Sequence, residues 1–226
     1  MIHLLKKPSF CHAFLPLLQV LLDGNNPIFY DLTSRGYGML DFLQNIFILE
    51  GRTHWYPLIW LVVAGIFLHG QPRKRELVCG RIEARWFPLN AVLLALPLLL
   101  WAGLRRNIGD TFAYIMHYQN APSSLFELLP MLNADSKDPG FSVLMTLIKM
   151  LGVSDHRIFF LIIATFQMFC MVWTFRKYSH NYWASIYLFV ASTDYLSWMF
   201  NGMRQFIAAT MIFAAMALLM QRRYKT

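Results

Sequence analysis

The chain has 226 residues, 57% hydrophobic and 14% charged, where soluble domains run near half and a quarter. Its 20 Lys and Arg stand against 12 Asp and Glu, a net charge of +8. The mean hydropathy of +0.43 and the long uncharged runs exclude a disordered chain, a disulfide-stapled secreted module and a two-domain cytosolic enzyme. What remains is an all-α protein, a polytopic transmembrane helical bundle of five to six spans.

Residues 1–52 read as an N-terminal extension. Lys6 and Lys7 precede the charge-free run Pro8–Leu22. That layout matches a signal-type segment, but no A-x-A cleavage site follows. The run fits a short sixth span at 8–22, an interfacial helix, or upstream sequence read from an early start codon. Asn25–Gly38 is rich in Gly, Asn, Asp and Ser and reads as loop.

A helix needs about 20 apolar residues to cross the hydrocarbon core. Charge-poor runs place five spans at about 54–71, 86–104, 157–175, 181–200 and 203–221. Arg52 and Arg73 bound the first, Arg85 and Arg105 the second, Arg157 and Arg176 the third. The fourth holds one charge, Asp194, and the fifth lies between Arg204 and Arg222. None alternates apolar with polar residues, so helices are expected rather than barrel strands.

Flanking charges set the orientation. Loop 70–85 holds Arg73, Lys74, Arg75, Arg81 and Arg85. The turn at 176–180 holds Arg176 and Lys177, and the tail holds Arg222, Arg223 and Lys225. All fall on one side when the spans alternate, so that side and the C-terminus are expected to be cytoplasmic. This asymmetry accounts for the basic charge, and no nucleic-acid partner is expected. Trp55, Trp86, Trp101, Tyr182, Trp183 and Trp198 sit near span ends, as interface anchors do.

Loop 105–156 then faces outward and contains short interfacial helices. Asp110 or Thr111 caps a helix running to about Gln119. Ser124-Leu125-Phe126-Glu127 matches a capping box. Asp138-Pro139-Gly140-Phe141 is a turn. Ser142–Leu151 is an apolar helix ending at a Gly152 cap. Its length covers about half the membrane, so it is interfacial or re-entrant. Such a loop suits a protein handling a lipid-anchored substrate at the outer leaflet.

Arg105 and Arg106 lie just past the second span, where positive-inside statistics disfavour them. They read either as snorkelling side chains or as a clamp for a lipid-linked diphosphate, which suits the bidentate guanidinium. Asp110 reads as an N-cap or as a general base taking a proton from an acceptor hydroxyl. Tyr114 lies four residues on, along the same helical face. Asp194 is an intramembrane carboxylate, a costly feature that marks function by default; its structural alternative is partial burial near the outer end, paired with Arg204 or hydrogen-bonded to a neighbouring helix. Asn201-Gly202-Met203-Arg204-Gln205 forms a reversal, with Arg204 and Gln205 opening the last helix. Arginine there opposes the helix dipole, and a bound anion would offset that cost. Arg204 is the leading candidate.

The seven histidines, His3, His12, His54, His69, His117, His156 and His180, form no HxxxH or HxxH pair, and Cys11, Cys79 and Cys170 form no CxxC pair. No metal and no cofactor is expected, and the thiols are expected to be free. There is no GxGxxG, P-loop or GxSxG motif.

Three stretches in this order resemble the EpsG family of bacterial exopolysaccharide polymerases, which are Wzy-like membrane proteins. They are Ala102-Gly103-Leu104-Arg105-Arg106-Asn107-Ile108-Gly109-Asp110-Thr111 with Tyr114, Asp138-Pro139-Gly140-Phe141 leading into Val143–Leu151, and Asn201-Gly202-Met203-Arg204-Gln205 followed by Ala208. The resemblance covers roughly residues 55–226. Two departures stand out: Gly109-Asp110 directly follows Ile108 where the family has Gly-Thr-Asp or Gly-Gly-Asp, and Asp138 replaces a frequent Glu. Family members are longer, so the chain is expected to lack C-terminal spans.

The resemblance implies a membrane-embedded glycosyltransferase-type polymerase of the bacterial inner membrane. It would join undecaprenyl-diphosphate-linked repeat units for exopolysaccharide or capsule, among membrane lipids and other polysaccharide-assembly proteins. It implies catalytic roles for Asp110 and Arg204, and substrate binding by Arg105, Arg106, Asn107, Tyr114, Asp194 and Gln205. Asp194 would orient Arg204 or another group. The residues also fit a non-enzymatic carrier or assembly subunit for lipid-linked glycans, which would use the arginines without a base.

Overall fold

The computed structural model describes residues 38–47, 55–71, 73–78, 81–106, 108–132, 138–192 and 194–220. The expected span at 8–22, Cys11, Cys79, Asn107 and the basic tail lie outside the described residues. The helices are α1 (Met39–Ile46), α2 (Tyr56–His69), α3 (Pro88–Gly103), α4 (Thr111–Asn120), α5 (Leu125–Leu128), α6 (Pro139–Met150), α7 (His156–Tyr178), α8 (Tyr182–Ala191), α9 (Asp194–Leu196) and α10 (Met203–Met220). Between α2 and α3 runs an antiparallel hairpin, β1 (Arg73–Val78) and β2 (Arg81–Trp86).

The hairpin is an unexpected short β element in a mostly helical chain. Its pairing register sets Arg73 opposite Trp86 and Arg75 opposite Ala84. Ile82, Ala84 and Trp86 alternate with Arg81, Glu83 and Arg85, the two-residue period of a strand. Charge density made that stretch look like a plain loop. It packs on the bundle through Arg85, whose Nη2 donates to the Ser179 carbonyl at 2.5 Å. Ser179 caps the end of α7, so loop 70–85 and the turn at 176–180 meet at one end of the bundle.

The stretch expected as a span at 181–200 is not one continuous helix. The helix breaks after Ala191, re-forms as α9, and continues as a π-helical turn, Ser197–Asn201. Such π turns are inserted where local geometry must depart from the α ladder. Apolar length alone did not reveal the break.

The long helix α7 is central. Among the described residues it alone is long and apolar enough to cross a membrane, with 23 residues and a charge-free stretch between Arg157 and Arg176. Asp155 caps it, accepting from the Arg157 N–H at 2.8 Å. Against it lies α3, brought close at Gly103, where an added Cβ would stand 2.5 Å from the Leu161 side chain. Inside α3, Pro97 removes one helical donor. Tertiary donors reach the neighbouring carbonyls: Trp60 Nε1 bonds Leu94 at 2.9 Å, and Tyr195 Oη bonds Leu98.

Two apolar cores result. One joins α2, α3, α7, α8 and the 194–200 segment around Leu61, Leu94, Leu98, Ile186 and Tyr195. The other joins α4, α6 and α7, where Tyr118 stacks on Phe159 with ring centroids 4.3 Å apart. Trp86, Trp101 and Tyr182 belong to the first core. Trp55 and Trp198 remain exposed. The outer faces of the helices also carry large apolar side chains: Ile66, Phe169, Leu188 and Ile212 all stand exposed. A helix apolar on every side suits hydrocarbon surroundings, not water.

Candidate active site

Arg105 leaves the end of α3 and turns inward. It is 3% exposed, with Cζ 4.3 Å from the Phe160 ring centroid and 5.4 Å from that of Phe200. Nη1 donates to the Met199 carbonyl and Nη2 reaches the Met203 sulfur at 3.0 Å. Burial lowers its pKa to about 10, so it stays a cation at neutral pH. Arg105 thus spends both terminal nitrogens on the turn at 199–203, which it fastens, and it does not line the cleft described below. Arg106 is exposed but does not line the cleft described below.

The next turn is built around glycine. Gly109 has φ +56°, and an added Cβ would stand 1.7 Å from Asn201 Oδ1. Only glycine accepts that conformation so close to another side chain. The approach lets Asn201 join two elements: its Oδ1 accepts from the Asp110 N–H at 3.2 Å, and its carbonyl accepts from Tyr114 Oη at 2.8 Å. Asp110 sits at the N-cap of α4, but its side chain makes no capping bond. Its carboxylate is thus not consumed by the helix.

A cleft of about 210 Å³ opens there, lined by Asp110, Tyr114 and His117 of the α4 segment, Asp138 and Phe141 at the start of α6, and Arg204 of α10. Arg204 pairs through Nη1 with Asp138 Oδ2. The two side chains are 38% and 44% exposed, so the pair is open to solvent or substrate. The guanidinium lies 5.9 Å from the Tyr114 ring centroid, and Arg204 Nε is buried without a hydrogen-bond partner. Asp138 also spends no side-chain bond on capping α6. Lys149 braces the walls: from α6 it donates to the Gln119 and Ala121 carbonyls at the end of α4, at 2.9 and 2.5 Å. A cation there also complements the helix dipole.

Of the expected site residues, Asp110, Tyr114 and Arg204 converge. Asp194 does not: its Oδ2 accepts from Ser192 Oγ at 2.7 Å, and it neither lines the cleft nor pairs with Arg204. Asp138, read from sequence as a turn residue, takes that partnership. Gln205 is exposed outside the cleft lining. His117 and Asn201 are additions that spacing did not single out. Among the described residues no group of three or more His, Cys, Asp or Glu is placed to hold a metal.

The sequence model of the EpsG family matches residues 89–226. The chain belongs to the EpsG family. Every cleft residue of this EpsG-family protein falls inside the matched region, whereas α1, α2 and the hairpin precede it. Family membership makes it a membrane protein related to polysaccharide biosynthesis. No curated protein and no solved structure matches it.

Proposed function

We propose that this EpsG-family protein is a polymerase, joining undecaprenyl-diphosphate-linked repeat units by glycosyl transfer at the outer face of the bacterial cytoplasmic membrane. The observation that carries the reading is the exposed Arg204–Asp138 pair in a cleft whose other carboxylate, Asp110, is uncommitted to capping. The carrier diphosphate competes with Asp138 for the guanidinium, whose fork matches phosphate oxygens. Asp110 takes the proton of an acceptor hydroxyl as that oxygen bonds to the anomeric carbon of the lipid-linked sugar. The anomeric C–O bond to the diphosphate breaks. Its electron pair leaves with the diphosphate, where Arg204 meets the developing charge. Tyr114 and Arg105 act as positioning residues, one beside the guanidinium and one beneath the turn that presents it.

The test replaces Asp110 by Asn and Arg204 by Ala separately, with membrane insertion verified. Loss of a general base costs about 10²–10⁴-fold in rate, so Asp110→Asn is expected to leave single repeat units in place of long polymer. Polymer of normal length from Arg204→Ala would sink the site assignment. A non-enzymatic carrier would instead lose surface delivery of the repeat units themselves.

A further inference from the structure

The far end of α7 carries a second cavity, unrelated to the Arg204 cleft. Arg73, Arg85, Trp86, His180, Asn181 and Tyr182 line a space of about 320 Å³ beside the hairpin. Arg73, Trp86 and Asn181 also border an open groove of about 760 Å³ that runs along α2 and α8 between Val62, Gly65, Ile66 and Tyr187. One end is basic and the other apolar.

Local sequence builds this shape. An added Cβ at Gly65 would stand 2.7 Å from the Trp183 ring, so glycine admits the indole across α2. Trp183 Nε1 then donates to the Leu61 carbonyl at 2.8 Å, which fixes the groove floor. Ile66, 72% exposed, forms its outer wall.

Two residues that line the basic end hold buried donors without partners, Trp86 Nε1 and Tyr182 Oη. Their residues are only 9% and 2% exposed. Their rings meet edge to face with centroids 5.4 Å apart. An indole N–H can only donate, and a buried donor left unmade is unfavourable. Arg73 stands over the same Trp86 ring, its Cζ 4.7 Å from the centroid. Two orphan donors beside a guanidinium call for an anionic ligand rich in acceptor oxygens. The adjoining apolar groove calls for that ligand to carry a hydrocarbon chain.

We propose that this is a binding site for an anionic phospholipid of the leaflet at the hairpin end. Its phosphate is held by Arg73, Trp86 Nε1 and Tyr182 Oη, and an acyl chain lies in the groove between α2 and α8. Basic pockets between membrane helices recognise such headgroups by the same electrostatics. The site does not depend on the polymerase reading.

The test titrates the full chain in detergent with phosphatidylglycerol, phosphatidylcholine or inorganic phosphate, reading bound lipid by native mass spectrometry and stability by thermal unfolding. Phosphatidylglycerol is expected to bind and raise the melting temperature above the other two. Arg73→Gln is expected to weaken it about five-fold, the worth of one basic side chain at an anionic lipid surface. Lys74→Gln removes the same charge from the opposite face of β1 and is expected to weaken binding clearly less than Arg73→Gln. Tyr182→Phe deletes only the hydroxyl and is expected to weaken binding too; it serves if Arg73→Gln does not fold. Equal binding of the two lipids, equal loss in Arg73→Gln and Lys74→Gln, or full stabilisation by inorganic phosphate would overturn the proposal.

Discussion

Replacing Gly109 by Ala tests whether the turn before α4 builds the cleft. Two effects add. At φ +56° an L-residue in the left-handed region costs about 1–2 kcal/mol. The new Cβ would also stand 1.7 Å from Asn201 Oδ1, so Asn201 must move and release the Asp110 N–H, a hydrogen bond worth about 1 kcal/mol. The expected loss is about 2–3 kcal/mol, with Tyr114 losing its seat on the Asn201 carbonyl. Gly152 supplies the control: its φ is +83°, yet nothing lies within 4 Å of an added Cβ. Gly152→Ala therefore carries the backbone cost alone, about 1–2 kcal/mol. Chemical unfolding in detergent measures both, and polymer length follows the cleft. Asn201→Ala in the Gly109→Ala background removes the collision and recovers part of the loss, a coupling read from the double-mutant cycle. Equal destabilisation at both glycines, with no coupling to Asn201, would refute this account of the turn.

Three further outcomes are expected. Arg105→Ala leaves the Met199 carbonyl without its donor and opens space between Phe160 and Phe200; a loss of about 2–4 kcal/mol is expected from unfolding curves. For Asp155, burial raises the carboxyl pKa, but the hydrogen bonds and charge of Arg157 outweigh it and hold the value below the usual range. A folded pKa below the unfolded one gives stability that is present above the unfolded value and lost as pH falls through the folded one. Asp155→Ala should therefore flatten the acid limb of a stability–pH profile and remove a cap worth about 1 kcal/mol. Finally, a thiol at Asn120→Cys should label from outside the cell, and one at Val78→Cys only after permeabilisation; the reverse pattern would invert the proposed orientation.

Much of the helical layout was legible because charge marks the ends of apolar runs. Arg157 and Arg176 bracket the interior of α7, and the Asp110-Thr111 and Ser124 signals open α4 and α5 where expected. The cleft was only partly legible. Asp110, Tyr114 and Arg204 stood out through position or helix-dipole conflict, but their assembly depends on contacts that no spacing encodes. Asp138 and Arg204 pair across 66 positions. Arg105 read as a surface arginine because its aromatic partners Phe160 and Phe200 come from two other segments. Asp194 drew attention as a charge within an apolar run, and the break after Ala191 puts it at the surface. The hairpin was missed because its alternation is written partly in arginines.

The Met203 sulfur has a consequence for how the apolar helices tolerate change. Met203 is 1% exposed and its sulfur accepts from Arg105. Exchange for Leu keeps the volume, which cores accept readily, yet it strands a guanidinium N–H in a place water does not reach. Two residues of equal size at this position are therefore not equivalent. The first turn of α10 can drift only if the end of α3 drifts with it, so Arg204 keeps its heading through a polarity match hidden in what the composition counts as hydrophobic filling.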